Sequence, residues 1–348
     1  MLDPLRAAVP SVPRPTRATI LRWSVAPLLA LLLLVGFFRT VDVPAVTEVL
    51  VGFNGAWLGV AVALMLCMYL VQAHRWGVLV RAVVPEISMG TLWSATTICW
   101  AGNTLLPMRL GNLIRPWVAA RKVGRPFPLL LSTMMVELVI EALAALFIMG
   151  GMVWLWTAQG PDDPFAKIGD ALGPGIVVGT SFCTLGLLVL AQSGVQERIR
   201  HILEAMSWVP DRARGVVVEL LDGMRAVRQP TRIMGVFFWT LVVWAVWWGA
   251  IQSTFLAFGL DLPWVAVTFV QFAVTLTMSI PQGPGFLGMF QWVVDQALQS
   301  WSAPTEHAAA MAIALWGVTF VPITVIGVVD AFKEARSFWP KEQGAKSQ

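Results

Sequence analysis

Long apolar runs separated by short polar breaks dominate the chain, and their lengths set the first expectations. Against the roughly 20 residues that cross a hydrocarbon core, the runs Trp23–Phe38, Asn54–His74, Pro126–Trp156, Pro174–Ser193, Ile233–Phe258 and Ala308–Val329 predict six spanning helices. Two further apolar stretches do not read as simple spans. Residues 89–108 run into A-G-N-T-L-L-P-M-R-L-G-N-L-I-R at 101–115, and Trp264–Ile280 runs into P-Q-G-P-G-F-L-G at 281–288. Proline lacks a backbone donor and glycine weakens a helix, so each stretch predicts a helix that breaks and restarts, near Gly111 and near Phe286. Interrupted backbone at membrane depth is tolerated only against neighbouring helices or a cavity, so both are expected to be re-entrant helical hairpins.

One extended region is polar. In Val195–Arg232, Ile199, Ile202, Leu203 and Met206 recur at helical spacing, and Val217, Leu220, Leu221 and Met224 repeat it after Pro210. These are two amphipathic helices, and two settings fit them: anionic headgroups, or the protein's own cytoplasmic face. Residues 1–22 carry four Pro and four Arg without apolar periodicity, as expected of a disordered basic tail. Nothing after Arg39 resembles a cleavage site, so Trp23–Phe38 is read as a retained first span.

Composition converts these elements into a class. Hydrophobic residues make up 57% of the chain and charged residues 13%, with a mean hydropathy of +0.72. An all-α polytopic membrane protein follows. The excess of Arg and Lys places both termini (1–22 and 333–348) and the amphipathic region 194–232 in the cytoplasm, while Asp162, Asp163 and Asp170 suit the outside. One transmembrane domain, 23–332, then holds two stretches of opposite orientation, 54–156 and 233–329, each reading span, hairpin, span. An inverted repeat with broken helices is a pattern of alternating-access transporters. Cys67, Cys99 and Cys183, and His74, His201 and His307, are scattered, so no disulfide, metal site or cofactor is expected. No catalytic residue is assigned, because no phosphate loop, H-E-x-x-H or G-x-S-x-G is present.

The candidate chemistry lies at the two breaks. Beyond Asn103 and the Pro107 break, the restarted helix presents free N–H groups at Gly111 and Asn112 beside Arg109 and Arg115, a setting suited to phosphate or carboxylate. The competing reading has both Arg side chains snorkel to the interface and fix topology. Glu137 and Glu141 stand one turn apart on one helical face. They are suited to pairing with Arg109 or Arg115, to receiving a cationic headgroup, or to carrying a coupling proton. At the second break Pro281, Gly283, Pro284, Gly285 and Gly288 exceed what one kink requires, and Gln291 and Asp295 follow on the restarted helix. These two are candidates for the same cavity, the outer surface being the alternative for Asp295.

The motif at 101–115, the acidic helix V-E-L-V-I-E at 136–141 and S-I-P-Q-G-P-G-F-L-G at 279–288 together resemble the lysylphosphatidylglycerol synthase transmembrane (flippase-like) family, over roughly Asn54 to Val329. The resemblance implies a bacterial inner-membrane protein whose relatives move aminoacylated phospholipids or other lipid-linked groups between leaflets. It also implies that Asn103, Pro107, Arg109, Gly111, Arg115, Glu137, Pro281, Pro284, Gly285 and Gly288 occupy motif positions. Two departures change the charge pattern: Leu138 stands where family members commonly have Arg, and Gln291 where Glu is usual. The chain ends soon after its last span, so a soluble synthase domain and synthase activity are not expected. Partners compatible with this reading are the bilayer, a phospholipid or lipid-linked substrate, a second copy of the chain and a separate synthase; nucleic acid is not among them. A lipid-modifying enzyme and a non-transporting accessory subunit are the competing classes.

Overall fold

The computed structural model describes residues 42–157, 192–206, 210–224, 229–279 and 283–338, with isolated positions between 32 and 39 and between 178 and 189. The described residues form helices and no strands: α1 (Val43–Val51), α2 (Gly55–Val80), α3 (Met89–Leu105), α4 (Gly111–Val123), α5 (Phe127–Thr157), α6 (Ser193–Ala205), α7 (Asp211–Gly223), α8 (Pro230–Ala257), α9 (Trp264–Ser279), α10 (Met289–Gln299) and α11 (Thr305–Phe338). Four are long and apolar enough to cross a membrane: Gly55–Val80, Phe127–Gly151, Pro230–Ala257 and Thr305–Arg336. This is a multi-pass membrane protein. The expected spans at 23–38 and 174–193 lie almost wholly outside the described residues, as does Pro281.

Several boundaries differ from the sequence expectation for physical reasons. The second span does not stop at His74 but continues to Val80, because Arg75 finds acidic partners inside the bundle and has no need of the interface. Helix α1 was not expected; Asp42 caps its start and Pro44 occupies the first turn. The second restart comes at Met289, later than Phe286. Gly285, Phe286 and Gly288 all adopt positive φ, which holds the chain in a 3-10 turn (Pro284–Phe286) and delays the helix.

Caps and close crossings set the packing. The Asn54 side chain accepts from the Ala56 N–H at 3.0 Å, and the Asn54 backbone N–H donates to the Ala257 carbonyl at 2.8 Å. That bond ties the start of α2 to the end of α8, so the two long helices run antiparallel. Ser88 caps α3, accepting from the Thr91 N–H at 3.2 Å. After Leu105 the chain makes a 3-10 turn, Pro107–Arg109, and α4 folds back along α3. This turnaround requires glycine, since a Cβ on Gly111 would stand 2.0 Å from the Cys99 carbonyl oxygen. Helix α11 crosses α3 at similar range, a Cβ on Gly327 falling 2.1 Å from the Thr97 carbonyl oxygen.

The second broken pair, α9 and α10, packs with α11 around Phe286, Phe290 and Phe320. Its tip meets that of the first pair: Gly285 approaches the Thr104 carbonyl, and its own carbonyl accepts from Trp316 Nε1 at 2.6 Å. Of the amphipathic helices, α7 packs on α5, where a Cβ on Gly223 would overlap Ser132 and the Leu129 carbonyl. Packing on the protein itself is therefore the setting of α7.

Candidate functional site

Four ionic side chains converge from three helices below the hairpin tips. Arg75 on α2 is 2% exposed and donates from Nε to Glu137 Oε1 at 2.9 Å, from Nη2 to Glu141 Oε2 at 2.9 Å and from Nη1 to Thr240 at 3.2 Å. Arg115 on α4 donates from Nη1 to the other oxygen of Glu137 at 2.8 Å and from Nη2 to the Gln72 carbonyl at 3.1 Å. Its guanidinium lies 4.5 Å from the centre of the Trp76 ring, and Trp76 is in turn fixed by a 3.1 Å bond to Thr133. Both oxygens of Glu137 are thus engaged by cations. Charges held this far from water persist only when paired in this way.

Beside this network lies a cavity of about 340 Å³, within the range of small-molecule sites. One end is polar and carries Gln72, Arg75, Arg109, Asn112, Arg115, Glu137 and Glu141. The other is apolar, with Met65, Met68 and Tyr69 from α2, Leu146 and Met149 from α5, Trp244 and Trp247 from α8, and Phe272 from α9. Three guanidiniums face two carboxylates, an excess of one positive charge among the lining residues. The polar end reaches the surface between α5 and α9, where Leu138 is 38% exposed and Leu276 52%, and where Glu141 is only half-buried.

Arg109 closes the cavity from the first hairpin tip. Its φ of 54° lies in the left-handed region, unusual for a side chain of this size. That strain sits at the break and turns the guanidinium toward the second hairpin, where Nη1 donates to the Met278 carbonyl at 3.0 Å. Met278 is in the last turn of α9, where exposed carbonyls favour a cation. The buried Nε atoms of Arg109 and Arg115 have no protein partner. Donors left over beside an unbalanced positive charge are suited to an anionic oxygen.

The expected site residues divide into two groups. Arg109, Asn112, Arg115, Glu137 and Glu141 come together on the cavity wall. Asn103 stands just behind it, donating to Asn112 Oδ1 at 2.9 Å and so positioning that side chain. Gly111 serves the contact between α3 and α4 and is not part of the lining. Gln291 and Asp295 also lie outside it. Gln291 accepts from the Gly288 N–H at 2.8 Å, capping its own helix, and Asp295 accepts from Gln296 and Gln299. Pro107 and Pro284 each open a 3-10 turn, while Gly283 precedes the second and Gly288 follows it.

Arg75, at the centre of the network, is not among the site residues expected from the sequence. A span ending at His74 leaves it at the interface, although V-L-V at 78–80 continues the apolar run past it. An Arg inside a continuing apolar run was the available signal.

Comparison with known proteins bears on this arrangement. The chain is similar to the glycosyltransferase AglD of Haloferax volcanii, 25% identical over 333 residues, which cover 87% of this chain and 52% of the relative. It thus spans about half the length of that curated protein. No solved structure matches. The family model described as the lysylphosphatidylglycerol synthase TM region matches residues 21–327, and the chain belongs to that family.

Proposed function

We propose that this protein binds the anionic or aminoacylated headgroup of a phospholipid, or of a lipid-linked group, in the cavity and moves it between leaflets. The observation that carries the reading is a cavity with three guanidiniums at its polar end, beside which the lining residues Leu138 of α5 and Leu276 of α9 are exposed. A headgroup phosphate contacts the guanidiniums of Arg109 and Arg115 where they line the cavity. Glu141, half-buried at the opening, receives an amino group where the lipid carries one. The two broken helix pairs enter the membrane from opposite sides. The antiparallel course of α2 and α8, each the first long helix of its half, supports the inverted repeat. Arg109 bridges the two hairpin tips, so release of the Met278 carbonyl accompanies passage of the headgroup. Both termini are cytoplasmic, and the membrane is the bacterial inner membrane.

Purified protein in vesicles carrying a headgroup-labelled anionic phospholipid tests this. Movement of label between leaflets that falls to background in Arg109→Ala supports it, and equal movement in vesicles with and without protein counts against it. The name of the Haloferax relative favours a second reading, a membrane enzyme acting on lipid-linked headgroups. A headgroup altered in mass after incubation identifies that activity, and neither outcome leaves the accessory role.

A further inference from the structure

A second depression runs over α5 and the start of α9, lined by Phe147, Gly150, Gly151, Trp264 and Thr268 together with Leu146 and Ile148. Leu146 lines both spaces, so the two adjoin across its side chain. The Thr268 hydroxyl is satisfied within the protein: it donates to the Trp264 carbonyl at 3.0 Å and accepts from Trp248 Nε1 at 3.0 Å. Apart from the indole N–H of Trp264, the rest of the lining is apolar.

Gly150 and Gly151 give the groove its depth. Both lie inside α5, neither has positive φ, and a Cβ on either would meet nothing within 4 Å. Glycine weakens a helix interior, yet none of the described helices comes within 4 Å of the space gained. Gly111 and Gly327 differ sharply, since backbone fills the corresponding space there.

We infer that this groove holds one acyl chain of the lipid whose headgroup occupies the cavity. The inference rests on the headgroup reading. An amphiphile with its polar end among the guanidiniums must lead its chain away over apolar surface, and the groove adjoins the cavity across Leu146. From Glu141 to Gly151 the α5 track is about 15 Å long at 1.5 Å per residue, the reach of roughly a dozen methylenes. Trp264, exposed at the head of α9, marks the far end at a position typical of an interfacial aromatic. The chain is thereby held along α5 while the headgroup is sequestered, which fixes the lipid's orientation in the site.

The test is the amount of phospholipid carried through purification per full-length chain, counted by native mass spectrometry. Gly150→Leu and Gly151→Leu fill the groove, and Gly150→Ala fills it less. Val325→Leu on the exposed face of α11 is the control. Arg109→Ala reports on the headgroup end. We expect about a tenfold loss for each leucine variant, the effect of displacing about two methylenes, a smaller loss for Gly150→Ala and none for the control. Wild-type retention in both leucine variants overturns the groove. If Arg109→Ala loses lipid in that same experiment, the headgroup reading stands alone. Loss in the leucine variants with full retention in Arg109→Ala keeps the groove and overturns the headgroup site. A dimer that dissociates in the leucine variants with lipid unchanged assigns the groove to a second copy of the chain and overturns the acyl-chain reading.

Discussion

Arg75 and Glu137 meet at 2.9 Å with side-chain exposures of 2% and 3%, so an ion pair lies in the interior of a membrane bundle. Glu137 also holds Arg115 at 2.8 Å. Neutralising it in Glu137→Gln leaves two buried guanidiniums short of a counter-charge. Removing one partner from a buried pair costs about 3–5 kcal/mol. Thermal unfolding in detergent should show a clear drop for Glu137→Gln and a smaller one for Arg115→Ala, where Arg75 still balances the carboxylate.

Glu141 behaves differently because solvent or headgroups reach it. Its pair with Arg75 is 38% exposed on the Glu141 side, and exposed ion pairs contribute no more than about 1 kcal/mol. Glu141→Gln is expected to keep its melting temperature within a few degrees of wild type while movement of label between leaflets falls several-fold. A large loss of stability would assign Glu141 to structural pairing.

The glycines separate by what surrounds them. Gly111→Ala and Gly327→Ala push a methyl into backbone 2.0–2.1 Å away, and overpacking of this kind costs about 1–3 kcal/mol or more. Gly150→Ala meets open space and, in a helix interior, is expected to stabilise by about 0.4–1 kcal/mol. Melting temperatures of the three variants should fall, fall and rise.

Much of this fold was legible in the chain because a bilayer leaves few options. Unbroken apolar runs give long helices, and P-M-R-L-G and P-G-F-L-G give turns. Arg109, Arg115, Glu137 and Glu141 were readable as one site because charges in apolar runs must find each other. Arg75 was not, since a basic residue near the expected end of a span looks the same whether it marks the interface or sits inside. Gln291 and Asp295 follow the second break on the restarted helix, which makes them candidates for the same cavity, with the outer surface as the alternative for Asp295. The local bonds that each makes on its own helix take them out of the cavity lining. The late start of α10 was hidden as well, because positive φ at Phe286 follows from packing against Phe320 and not from residue type.

The central claim is that an anionic headgroup is held against Arg109. Calorimetric titration with a short-chain anionic phospholipid, comparing wild type with Arg109→Ala, measures it most directly. A charge-assisted hydrogen bond contributes about 1.5–3 kcal/mol, so affinity should fall about ten- to hundredfold in the variant. Equal affinity in the two proteins would contradict the account.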